Sequence, residues 1–295
     1  MTAIYKKEVR SYLCSMIGCV MIALILAFIG FFTVYANITT GIPNFEYALI
    51  MAVSFYVFII TIPFITMKSI ADERHSKTEQ LLLSLPIPTY KIVLAKFFAM
   101  LTIVGIPLLI SGVYPILLTL FSSTDGAVNF ATTYSGWFML LLMLAAMTAM
   151  GMFASSIVES QIIAAVISAG MFLLLFFVRF FAAAFPSGAL ASLIAFMLLA
   201  AALGAIVLLM TKNSTAACIA TGVPAVIMLI LYVVDAGMFA GLFPTVLSAF
   251  AFFDKFMYGG ALLGVFDVGA AVYYISFTAV FVFLTVESIE RRRYS

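Results

Sequence analysis

Very few side chains in this sequence could do chemistry, and their spacing argues against it. Cys14, Cys19, Cys218 and the single histidine, His75, are too scattered to give the ligand spacing of a zinc, haem or iron–sulfur site. No His-Glu-x-x-His pair and no paired aspartates fall inside an apolar run, so the clusters an intramembrane enzyme needs are missing. No GxxxxGK[ST] loop is present to cradle a nucleotide phosphate, and no soluble stretch is large enough to hold one. The cysteines lie in or beside apolar segments, where small buried apolar residues are expected. The chain reads as non-catalytic, with no metal and no cofactor of its own.

What the sequence does offer is a place to be gripped. Residues 68–96, KSIADERHSKTEQLLLSLPIPTYKIVLAK, hold eight of the 26 charged residues in about a tenth of the length. Greasy stretches flank them on both sides. A charged, structured loop in an otherwise apolar chain has the chemistry of a docking element for a soluble subunit, although a solvated loop touching lipid headgroups would have a similar composition.

The elements that must position this loop are membrane spans. The 295 residues are 66% hydrophobic and 9% charged, with mean hydropathy +1.27, whereas a soluble domain carries roughly 25% charged residues. The apolar runs are continuous and about 20 residues long, which fits helices rather than the alternating segments of a barrel. The fold expected is an all-α polytopic membrane protein, one transmembrane domain over 1–295. Eight spans are expected, at about 13–36, 47–67, 97–121, 135–155, 161–181, 189–211, 216–234 and 268–286. If one hairpin within 182–234 does not cross, the count is six. The run at 13–36 is too long for a cleaved signal and is read as a retained span.

With the N-terminus inside, Lys6, Lys7, Arg10, the five basic residues of 68–96, Lys212, Arg291, Arg292 and Arg293 all fall on the cytoplasmic side. That is twelve of the fourteen basic residues, leaving only Arg179 and Lys255 outside. Either span count keeps both termini cytoplasmic. Residues 235–267 fall outside but remain apolar and aromatic. With Pro244, Asp254, Lys255 and Gly259–Gly260 they suggest a short interfacial or re-entrant element, and Gly260 and Gly264 make a weak GxxxG packing signal. Charges avoid the middles of the spans, with Glu46, Glu159, Asp235, Asp267 and Glu287 at ends or turns. An ion-coupled transporter normally carries intramembrane relays, so that alternative is disfavoured; a membrane scaffold is excluded less firmly. Pro63, Pro107 and Pro115 each remove a helical hydrogen bond and are candidate hinges, with plain local bending as the bland reading.

Within the loop, SIADERHSKTEQLLLSL predicts one surface helix. Asp72 and Glu73 sit early in it, where the dipole favours anions, and Glu73 and Lys77 form an i,i+4 pair. Leu81, Leu82, Leu83 and Leu85 make an apolar end, Pro86 and Pro88 stop the helix, and Thr89 can cap the next. Residues 1–12 predict a basic amphipathic helix at the inner interface. Ile4, Tyr5, Val9, Tyr12 and Leu13 share one half, and Lys6, Lys7 and Arg10 the other.

The segment TIPFITMKSIADERHSKTEQLLLSLPIPTYKIVLAKFFA resembles the signature region of ABC transporter type-2 permeases, the exporter class that includes gliding-motility and multi-copper-export types. The positions carrying the likeness are Pro63, Asp72, Glu73, Arg74, Thr78, Glu79, Leu81, Leu82, Pro86 and Lys96. The family usually has Gly where this chain has Lys77. KKEVRSYLCS resembles the family's connecting helix. The turn SSIVESQIIAA and the C-terminal region from LSAFAFF to ERRR are also similar, and roughly 182–235 is an extra hairpin. The resemblance implies an export permease subunit in a prokaryotic cell membrane, paired with a second permease subunit. An ATP-binding cassette ATPase would hold the ATP and Mg and dock on 68–96 as a coupling helix. Lipid, and no nucleic acid, completes the expected partners. The substrate is left open.

Overall fold

The computed structural model describes residues 1–38, 45–54, 57–78, 87–121, 129–257 and 266–294. Among them all regular structure is helical, as the composition demands. The helices are α1 (Thr2–Leu13), α2 (Met16–Thr33, continued by a π-helical turn at Val34–Ile38), α3 (Phe45–Ser54), α4 (Val57–Thr66), α5 (Ala71–His75), α6 (Thr89–Ser111) and α7 (Tyr114–Phe121). They continue with α8 (Phe130–Ile157), α9 (Gln161–Ala184), α10 (Ala189–Thr211), α11 (Ser214–Val234), α12 (Leu242–Ala249), α13 (Asp254–Met257) and α14 (Val268–Tyr294). Among the described residues, six helical stretches are long and apolar enough to cross a bilayer. Counting two bent pairs, Phe45–Val53 with Val57–His75 and Cys218–Val234 with Ala236–Ala249, brings the number to eight.

The chain folds as two compact units, Met1–Leu173 with Phe253–Ser295, and Leu174–Phe252. In the first, α8 is the central helix. It packs against α14, α6, α4 and α3, and its inner residues include Met139, Met143, Met147, Met150 and Met152. Small residues on the same helix let backbones approach closely. A Cβ at Gly151 would come within 2.3 Å of Thr66 Oγ1, so glycine is what allows α8 to lie against the end of α4. Thr66 is itself buried, with its hydroxyl donating to the Ile62 carbonyl at 3.0 Å. The outward side is apolar, with Leu120 and Ile162 each 76% exposed. That inverted pattern suits a hydrocarbon surround and not water.

Several expectations shift in detail. The second span comprises two helices, α3 and α4, flanking 55–56. The third span is divided at Gly112 and Val113 into α6 and α7. Pro115 begins the new helix, where its missing N–H does no harm. The Gly112 carbonyl, turned out of the helical ladder there, accepts from the Tyr134 hydroxyl at 3.1 Å. Pro107 and Pro63 lie inside α6 and α4. Glu46 is buried in the first turn of α3 and accepts from Thr133 Oγ1 at 3.0 Å. Cys14, Cys19 and Cys218, expected to be buried, are all exposed, and the Cys19 thiol donates to the Leu13 carbonyl at 3.2 Å.

The second unit is built on the α10–α11 hairpin. Lys212 ends α10 in the left-handed conformation, and the Asn213 side chain caps α11 by accepting from Thr215 N at 3.1 Å. After α11 the chain bends by 119° and runs back over the hairpin. Gly241, at φ 72, makes the second turn and bonds to the Ser187 carbonyl at 2.9 Å. Phe243 then packs on Phe185 and Phe196. Gly260 and Gly264 lie outside the described residues.

Candidate functional site

The residues of the 68–78 corner are positioned by α1. Ile4, Glu8 and Tyr12 recur every four residues and are the buried residues of that helix. The stripe meets protein where lipid headgroups were expected. Ile4 packs with Ile92 and Ala95 of α6, Tyr5 Oη lies 2.8 Å from Thr102 Oγ1, and the Tyr12 hydroxyl donates to the Ile65 carbonyl at 3.0 Å. Burial pushes the pKa of Tyr12 well above that of a free phenol, with Glu8, Glu73 and Asp72 adding to the rise. Tyr12 therefore stays a neutral donor. Leu13, expected on the same face, is exposed.

Glu8 is carried into the interior because Lys96 waits there. The Lys96 side chain, two turns into α6, is only 3% exposed. Its ammonium lies 2.8 Å from Glu73 Oε1 and 3.1 Å from Glu8 Oε1. It also donates to the Ser69 carbonyl at 2.8 Å. An ammonium has three protons to give, and three acceptors stand around this one. Lys7, 66% exposed, lies 3.8 Å from Glu73 and 3.9 Å from Glu8 on the rim. One buried cation thus ties together α1, α5, α6 and the link between α4 and α5. Beside it is a polar cavity of about 210 Å³, whose lining includes Lys7, Glu8, Ser11, Lys68, Ser69 and Glu73. The buried Ser69 hydroxyl has no hydrogen-bond partner among the described residues.

α5 is five residues long, too short to hold itself together, and α8 holds it. Ser155 Oγ accepts from Ile70 N at 3.2 Å and Ala71 N at 3.0 Å, and donates to the Met67 carbonyl at 3.2 Å. A hydroxyl from another helix thereby caps the open N–H groups of α5. Arg74 donates to the Ser156 carbonyl and, at 3.4 Å, to that of Val158. Asp72 Oδ1 accepts from Gln161 Nε2 at 2.5 Å. The C-terminus of α14 reaches the same place: Ser288 Oγ donates to the Ser156 carbonyl at 3.3 Å and Arg292 to that of Ile157 at 2.7 Å. Two guanidiniums on the last carbonyls of α8 complement the negative end of its dipole. The N-terminal helix, the loop, the α8–α9 turn and the C-terminal tail therefore meet at one end of the first unit, as the distribution of basic residues requires.

The expected continuous helix stops early. Lys77 takes φ 57, Thr78 N donates to the Glu73 carbonyl at 2.9 Å and Lys77 N to that of Arg74 at 2.9 Å. These are the two bonds of a Schellman ending, with Lys77 at the left-handed position that glycine favours. The Glu73–Lys77 side-chain pair is replaced accordingly, Glu73 turning inward to Lys96. Of the residues singled out in sequence, Arg74 is buried and Glu73 half-buried, both anchored within the chain, while Asp72 and Thr78 are exposed. Glu79, Leu81, Leu82 and Pro86 lie outside the described residues. The sequence reading missed Glu8, Ser69, Ser155 and Gln161, and placed Tyr12 only as one of the apolar half of the N-terminal helix. Glu8 was detectable in principle, as an acid one helical repeat from two apolar residues.

Described residues that are helical throughout their regular structure, form six to eight apolar candidate spans and carry a polar knot at one end of the first unit make a multi-pass membrane component, with no metal-holding group among them. Residues 2–187 match the family model described as ABC-2 family transporter protein, and the chain belongs to that family. No curated protein and no solved structure matches it. Membership makes the chain a permease component of an ABC transporter, a transport and not a catalytic subunit, and implies association with an ABC ATPase. The matched residues contain the N-terminal helix, the 68–78 corner and the end of α8, and stop before α10.

Proposed function

We propose that this chain is the permease subunit of an ATP-driven exporter of the gliding-motility and copper-export kind, seated in a prokaryotic cell membrane beside a second permease subunit. The loop from Asp72 to Pro86 is its coupling element, inserted into a cleft of a separate ATPase that binds the ATP and Mg. The chain itself holds neither catalytic group nor cofactor. Closure of the ATPase pushes on the loop, and the shift passes to the spans as a rigid-body motion.

The observation that carries this reading is the Lys96 knot. A loop that merely floats at the surface needs no buried ammonium and no cap from another helix. A loop that must transmit a push needs to be fastened to several spans at once. Glu8, Glu73 and Lys96 fasten it to α1 and α6, while Ser155 and Arg74 fasten it to α8. Asp72, Ser76 and Thr78, exposed at the corner, and Glu79, Leu81, Leu82 and Pro86 beyond it are assigned to the ATPase contact. Pro63, Pro107 and Pro115 are assigned as the hinges between fastened ends and moving spans.

Co-purification tests it. The chain should bring down an ATP-binding subunit, and Leu82→Asp or Thr78→Arg should lose that partner while leaving the permease folded. A chain that brings down no ATPase, or whose ATPase survives both changes, overturns the assignment of the loop.

A further inference from the structure

One charged feature is used by the knot only at its edge, through Lys7. Lys6, Lys7, Arg10 and Ser11, with Cys14, line an open groove of about 650 Å³ along one stripe of α1. The lining holds three cations and no acid. The opposite stripe of the helix is pinned to α6 through Ile4 and Tyr5 and to α4 through Tyr12, so the groove cannot be closed by rolling the helix inward. The residues on either side of Cys14, at the C-terminal end of the groove, include the exposed apolar side chains Leu13, at 42%, and Met16, at 83%. Met16 opens α2, which is a candidate span. A cationic cradle ending on an apolar ledge at the foot of a span has the two-part chemistry of a single ligand: an anionic head and a hydrocarbon tail.

We infer that the Lys6–Lys7–Arg10 groove binds the headgroup of an anionic phospholipid of the inner leaflet, whose chains lie against Leu13 and Met16. The inference rests on the cytoplasmic placement of α1 and not on which ATPase docks. Charge complementarity selects the occupant: a zwitterionic headgroup gains little from three cations, whereas an anionic one gains on each. Lys7 is also within 4 Å of Glu8 and Glu73. The headgroup therefore competes with the knot for Lys7, which puts the grip on the coupling loop under the influence of membrane charge.

The test uses the purified full chain in neutral detergent, titrated with dioleoylphosphatidylglycerol or dioleoylphosphatidylcholine and read by native mass spectrometry. Phosphatidylglycerol should be retained preferentially. Lys6→Gln with Arg10→Gln should weaken its retention by about 30-fold, the equivalent of two basic residues at an anionic surface, with phosphatidylcholine unchanged. Both residues are exposed, so folding should survive, and Arg10→Gln alone should give about fivefold as an independent check. Undiminished phosphatidylglycerol retention in the double variant overturns the inference. So does displacement of the lipid by equimolar inorganic phosphate, which marks a free-anion site. Loss of a co-purifying ATPase with lipid binding intact assigns the groove to that protein and overturns it too.

Discussion

Replacing Lys96 by Met keeps the length of the side chain and removes its charge. Glu8 and Glu73 are then left with 12% and 14% of their side chains exposed, facing each other around the space the ammonium filled. The Ser69 carbonyl loses its donor as well. Removing one partner of a buried ion pair costs about 3–5 kcal/mol. The partial exposure of both carboxylates moves the expectation to the lower end, ~3 kcal/mol or about two orders of magnitude in the folding constant. Lys7 cannot replace the lost charge, because it is mostly in solvent and screened. The cost should be specific to charge. In a Glu8→Gln, Glu73→Gln background the same Lys96→Met change should cost only ~1 kcal/mol, the value of ordinary hydrogen bonds. Reversible unfolding of the purified chain in mixed micelles, titrated with dodecyl sulfate and followed by helical circular dichroism, measures both numbers. If Lys96→Met costs the same in the two backgrounds, the buried cation is not what holds α1, α5 and α6 together.

Lys77→Gly should stabilise the chain by about 1 kcal/mol in the same assay, by relieving a left-handed residue at the end of α5; a loss of stability would mean the Schellman ending is not formed. Gly151→Ala should cost about 1–3 kcal/mol, because the new methyl has nowhere to go against Thr66. Gly105→Ala, where a Cβ meets nothing within 4 Å, should be neutral or stabilising; equal costs at the two glycines would refute the close α4–α8 approach. Pro107→Ala should leave ATPase binding intact and lower the transport obtained per ATP hydrolysed in proteoliposomes, whereas an unchanged ratio removes Pro107 from the hinges.

Most of the architecture was legible in one property, the length of the apolar runs. Spans appear where those runs are. A count of six to eight remains, but for a different reason: a hairpin within 182–234 was expected to be the doubtful part, whereas the bent pairs are α3 with α4, and α11 with the stretch after it. The basic residues likewise predicted which ends belong together, and Arg74 and Arg292 turn out to meet on the same turn of α8. The knot was less legible. Lys96 was readable only as a lysine entering a span, and Glu8 only as an acid in a basic helix. Their pairing is a fact of tertiary packing across 88 residues. The early end of α5 was hidden for a different reason: SIADERHSKTEQLLL has good helical propensity throughout. It is the capping by Ser155 and the inward turn of Glu73 that fix a corner there, and tertiary context overrides propensity at so short an element.

The central claim is that energy enters through the loop fastened by Lys96. The most direct measurement is ATP hydrolysis by the partner ATPase, purified and reconstituted with and without this chain in proteoliposomes. The account predicts that the wild-type chain changes the hydrolysis rate, that Lys96→Met weakens the effect, and that Leu82→Asp abolishes it. A rate that is the same without the chain, with the wild type and with both variants would contradict it.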